Sequence, residues 1–92
     1  MAASNKEILR RTVDALEKSL QRYPDNEKIL HQLAVAYSQI GRFDPDAISI
    51  YEKASNLFPS DVKVQRALSV SYLVTQSSEI ARDIDSLAEI NL

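Results

Sequence analysis

The chain has 92 residues, 10.3 kDa, of which 45% are apolar and 26% charged, with a formal net charge of −2 and no cysteine. That length bounds it to one small domain with a thin core, and the composition is too apolar for disorder. Disulfides, thiolate metal ligands and thiol nucleophiles are excluded by the missing cysteine; the lone glycine, against an average usage of about 7%, argues against phosphate-cradling loops and multi-hairpin β folds.

From Ser4 to Tyr23 the residues Ile8, Leu9, Val13, Leu16 and Leu20 recur every three or four positions, as on an amphipathic helix. Ser4 followed by Glu7 fits a capping box, and Tyr23-Pro24-Asp25-Asn26 ends the element and offers the next N-cap. A second helix is expected over Glu27–Ile40, with Gly41 at a left-handed C-cap. Asp44-Pro45 starts a third, which stops near Pro59, because proline suits the first helical position where its missing N–H costs nothing. Ser60 or Asp61 caps a fourth over about Val62–Thr75. The polar run Thr75-Gln76-Ser77-Ser78 is read as a turn, leaving Glu79–Asn91 as a fifth helix carrying Ile80, Ala81, Ile84, Leu87, Ala88 and Ile90. The expectation is an all-α chain of about five antiparallel helices.

No apolar run approaches the roughly 18–20 residues needed to cross a bilayer, and Met1-Ala2-Ala3-Ser4-Asn5 leads into charged residues without a signal-type apolar region. The −2 balance lacks the basic excess of a duplex-DNA binder. A cytoplasmic location is expected, with neither membrane nor nucleic acid as partner.

The sequence repeats itself. At an offset of 35, Leu16 meets Tyr51, Tyr23 meets Phe58 and Pro24 meets Pro59, while Leu33 meets Leu68, Val35 meets Val70 and Tyr37 meets Tyr72. An offset of 34 pairs Ala47 with Ala81 and Ala54 with Ala88. Two helices per period of this length form a unit that cannot bury its apolar face alone and must stack on a neighbour.

In Leu30, Leu33, Ala34, Tyr37, Ala47, Tyr51, Ala54 and Pro59 the chain resembles the tetratricopeptide repeat family. The resemblance divides residues 4–91 into a lone second-type helix (4–26), a full repeat (27–61) and a degenerate one (62–91), with Gln65 and Asp85 departing from the pattern in the last. It implies a helical-hairpin solenoid that binds proteins along a groove lined by the first helix of each unit. By position that groove takes Lys28, His31, Val35, Ser38 and Gln39, then Lys63, Arg66, Val70, Leu73 and Val74. Spacing agrees in part: on each helix these residues fall on a side away from the packing stripe. Val35, Val70 and Leu73 are the candidate apolar anchors, and Lys28, His31, Lys63 and Arg66 the cations that would orient an acidic-apolar peptide or helix. A clamp for a C-terminal carboxylate is disfavoured, since Val35 and Val70 stand where asparagine would be needed.

Catalysis has little to work with: His31, the only histidine, has Glu27 as its nearest acidic helical neighbour, a pairing typical of surfaces. Glu79, Asp83, Asp85 and Glu89 read as a solvated face, because Asp83 and Asp85 are two apart on a helix and do not face each other. Neither metal nor cofactor is expected, and Tyr23, Tyr37, Tyr51 and Tyr72 are assigned to the core. Residues 1–23 carry a net +2 and residues 78–92 a net −3, which leaves self-assembly through the solenoid ends as the alternative function.

Overall fold

Every helix begins where a side chain takes over an orphaned backbone N–H. In the computed structural model, which describes the backbone of residues 4–90 and the side chains of residues 4–83, these starts define α1 (Asn5–Arg22), α2 (Glu27–Gln39), α3 (Pro45–Leu57) and α4 (Val62–Ile90). Ser4 accepts from the Glu7 N–H at 3.2 Å, Asn26 from Ile29 at 3.0 Å and Asp44 from Ala47 at 2.9 Å. Asp61 accepts from Lys63 at 2.9 Å and Val64 at 3.2 Å. Between α2 and α3, Gly41 takes φ +71°, and the N–H groups of Gly41 and Arg42 return to the carbonyls of Ser38 and Tyr37. That is the paired closure of a helix ending in a left-handed residue. The chain is all-α, with no strand among the described residues. None of the described helices is long and apolar enough to cross a membrane.

The core centres on the α2–α3 hairpin. Leu33, Ala34, Ala36 and Tyr37 of α2 meet Ala47, Tyr51 and Ala54 of α3, with Val13 of α1 and Val64 and Ala67 of α4 closing the two sides. Alanine at the crossings lets the helix axes approach, and the two tyrosines fill the remaining volume. Helix α1 lies against α2 alone, whereas α4 lies against both α3 and α2.

The expected fifth helix is not separate. Helix α4 runs straight through Thr75-Gln76-Ser77-Ser78, so the described chain has four helices. None of these four residues is glycine or proline, and Thr75 turns its hydroxyl onto its own helix, as Ser71 does one turn earlier. Thr75 Oγ1 donates to the Ser71 carbonyl at 3.0 Å, and Ser71 Oγ to that of Ala67 at 2.8 Å. Back-bonding of this kind is compatible with a continuous helix, and with neither glycine nor proline in the run nothing there forces it to stop.

Two of the four tyrosines assigned to the core are not in it. Tyr37 and Tyr51 are buried, but Tyr72 is 53% exposed and Tyr23, on the α1–α2 turn, 59%. Helix α4 buries Val64, Ala67 and Ser71, leaving the face of Tyr72 without a helix against it. Assignments resting on Met1–Ala3, or on the side chains of Ile84, Asp85, Leu87, Ala88, Glu89 and Ile90, fall outside the described residues.

Candidate functional site

The helix starts that set the fold also open a groove. Thr12 and Leu16 of α1 form one wall; His31, Gln32, Val35, Ala36 and Gln39 of α2 form the floor; Asp61, Val62 and Lys63 close it at the start of α4. The volume is about 700 Å³, within the range of ligand-sized clefts. It exists because α1 touches α2 but not α4, so the space between α1 and the start of α4 is bridged by α2 alone. A smaller hollow of about 210 Å³, lined by Ser38, Phe43, Lys63, Arg66, Ala67 and Val70, adjoins it and shares Lys63.

Ten residues were placed in a groove by sequence. His31, Val35, Gln39 and Lys63 line the large one, and Ser38, Arg66 and Val70 line the hollow beside it with Lys63. Lys28, Leu73 and Val74 line neither. Lys28 is exposed on the first turn of α2, and Leu73 is 62% exposed farther along α4.

The groove has a fixed end. His31 Nε2 and Asp61 Oδ2 are 2.5 Å apart, and the imidazole packs on Phe58 in a T-shaped arrangement with ring centroids 4.9 Å apart. Asp61 therefore caps α4 through one oxygen and holds α2 through the other. The hydrogen bond from His31, with those from the Val64 and Lys63 N–H groups, holds its carboxyl below the ordinary aspartate value. His31 is thus matched with Asp61 across 30 positions, not with Glu27 on its own helix. Asp61 answers the imidazole at its mouth, while Lys63 and Arg66 have no carboxylate within 4.0 Å among the described residues.

Opposite the groove, Arg42 gathers the α2–α3 turn. Its guanidinium lies 4.5 Å over the Tyr37 ring, 2.9 Å from Asp44 and 3.8 Å from Glu17 of α1, and its carbonyl accepts the Tyr51 O–H at 2.6 Å. The Ala47 N–H and then the guanidinium hold the Asp44 carboxyl below its ordinary value, while burial pushes the phenols of Tyr37 and Tyr51 up.

Sequence reasoning missed Thr12, Leu16, Gln32, Ala36, Asp61 and Val62 as groove residues. Residues were assigned to the groove only from α2 and α4, so the α1 wall was overlooked. The i, i+4 pair of Thr12 and Leu16 was the available signal.

No group of three or more His, Asp or Glu side chains that could hold a metal occurs among the described residues. Compared with known proteins, the chain matches no family model, no curated protein and no solved structure.

Proposed function

We propose that the chain is a helical-hairpin repeat module of the tetratricopeptide type, without enzymatic activity of its own, that docks a peptide or amphipathic helix in the groove between α1, α2 and the start of α4. The observation that carries this is the groove itself: about 700 Å³, with Leu16, Val35, Ala36 and Val62 supplying apolar wall and Lys63 a cation without a carboxylate partner among the described residues. Such a surface favours a ligand with aliphatic or aromatic anchors and a carboxylate placed to reach Lys63. Internal repetition supports the repeat reading, as does the burial of Ala34, Tyr37, Ala47, Tyr51 and Ala54 in one hairpin. The His31–Asp61 pair is a fastener in this reading, since the same carboxylate caps α4.

Panning a random peptide display library on the wild type beside a Val62→Glu/Lys63→Glu variant tests the proposal. Val62 is 67% exposed and sits in the first turn of α4, where an added carboxylate is favourable to the helix, so the variant keeps its fold. Enrichment of acidic-apolar peptides, with binding weakened at least about tenfold on the variant, supports the groove; tenfold corresponds to about 1.4 kcal/mol. Equal enrichment on both proteins, or none on either, overturns it.

A further inference from the structure

His31 has two ring nitrogens, and only one of them is engaged. Nε2 meets Asp61 Oδ2 at 2.5 Å, while Nδ1 has no hydrogen-bond or ion-pair partner among the described residues. The residue is half-buried, yet no described residue of that kind seals an unpartnered side-chain nitrogen or oxygen away from solvent. Nδ1 is therefore open, and the ring that carries it lines the groove beside Val35. Glu27, one turn earlier on α2, does not answer it. No Glu27 oxygen lies within 4.0 Å of either ring nitrogen, and Glu27 lines a separate hollow with Pro24 and Leu30.

Asp61 decides where the proton sits. Its Oδ1 accepts from the Lys63 and Val64 N–H groups, and these bonds, with the one from His31, hold the carboxyl below its ordinary value and so ionised. A carboxylate only accepts, so the bond across to α2 requires the hydrogen on Nε2. In the neutral imidazole Nδ1 is then a bare lone pair. Asp61 on one nitrogen and Phe58 against the ring fix its direction. Gln32 and Gln39, also in the groove, are exposed amides free to present either end.

We infer that Nδ1 of His31 is a fixed hydrogen-bond acceptor in the groove, and that it selects a ligand side chain presenting a neutral O–H or N–H donor there. This rests on the groove reading above and adds a second polar contact to it, distinct from the carboxylate offered to Lys63. A cationic donor is disfavoured by Lys28, three residues earlier on α2, and by Lys63 in the same groove. A carboxylate is rejected because it sets one lone pair against another. In a bound helix the backbone N–H groups beyond the first turn are already used, so the donor comes from a side chain.

Asp61→Asn tests the assignment because it inverts it. The Lys63 and Val64 N–H groups still need an acceptor, so the amide oxygen stays with them and the amide nitrogen faces Nε2. The proton then moves to Nδ1 and the acceptor becomes a donor, with the cap kept. Nitrogen NMR on the chain's single histidine, at about pH 8.5 and so above the ordinary histidine range, should find hydrogen on Nε2 in the wild type and on Nδ1 in the variant. Panning the random peptide library at the same pH should select, on the wild type, peptides sharing a Ser, Thr, Asn, Gln or Trp at one position. Their binding should fall about tenfold when methyl replaces the donor hydrogen, and about as much on His31→Phe, which keeps a ring on Phe58 and leaves Asp61 its cap. On Asp61→Asn the same position should admit Asp and Glu. A wild-type proton on Nδ1, or a consensus unchanged in both His31→Phe and Asp61→Asn, overturns the inference. If that consensus is still lost on Val62→Glu/Lys63→Glu, the groove reading stands without it. Enrichment on none of the proteins overturns both.

Discussion

The tyrosine pair Tyr51 and Tyr72 tests whether burial in this small core is placed as described. Tyr51 is fully buried in α3, and its hydroxyl donates to the Arg42 carbonyl at 2.6 Å, tying the helix to the turn that follows Gly41. Tyr51→Phe keeps the ring and removes the donor. An acceptor left without its bond at a buried site costs about 1–3 kcal/mol, and because only one atom is lost, about 1.5 kcal/mol is expected. For a domain of this size that is a fall in Tm of about 6–12 °C. Tyr72→Phe, at a half-exposed ring, should change stability by less than about 0.5 kcal/mol. Thermal melts by circular dichroism compare the three proteins. Alkaline titration adds a second reading with a definite sign. Burial raises the Tyr51 phenol above its ordinary value, so the unfolded chain ionises first. Stability is then complete below about pH 10 and is lost as pH rises beyond it, and Tyr51→Phe should flatten that loss. Equal melting shifts for the two variants, or an unaltered alkaline limb in Tyr51→Phe, would refute the placement.

At the acid end, Asp61 is held below its ordinary value by His31 and the α4 N-terminus, so its contribution is complete above about pH 4 and fades as pH falls through the folded-state value. Asp61→Asn keeps a competent N-cap, and the gap between its urea midpoint and that of the wild type should close as pH is lowered from about 5 to about 2. Gly41→Ala meets no atom within 4 Å of the added Cβ, so its effect is confined to the backbone at φ +71°: a loss of about 1 kcal/mol in chemical denaturation, with Gly41→Asn milder. Tyr72→Ala should cost under about 1 kcal/mol in chemical denaturation; a loss of 3–5 kcal/mol, the usual range for a buried aromatic, would mean that a helix covers that face within the chain.

The first three helices were legible because their boundaries are chemical and local. Ser4, Asn26 and Asp44 are caps, Pro45 suits only a first turn, and Gly41 suits a left-handed one. The continuity of α4 was not legible, because threonine and serine have two local options and the choice depends on whether their hydroxyls bond back to carbonyls such as those of Ala67 and Ser71. The partner of His31 was out of reach for another reason. Glu27 is one helical turn away, but Asp61 is brought to the ring by the α3–α4 turn, through contacts that no spacing rule encodes. The α2 part of the groove could be read from periodicity, whereas its α1 wall follows from which helices fail to touch.

That failure to touch is also the main difference between equivalent positions. Leu16 and Tyr51 occupy the same place in the repeat, as do Tyr37 and Tyr72, yet the interior member of each pair is buried and the terminal member is not. Side-chain chemistry cannot account for the second pair, since both are tyrosines; the presence of a neighbouring helix can. Completing the burial of a half-exposed tyrosine gains about 1 kcal/mol from the area removed from water. Bending α4 back over Tyr72 would break the helix around Thr75–Ser78, forfeiting backbone hydrogen bonds of comparable individual worth.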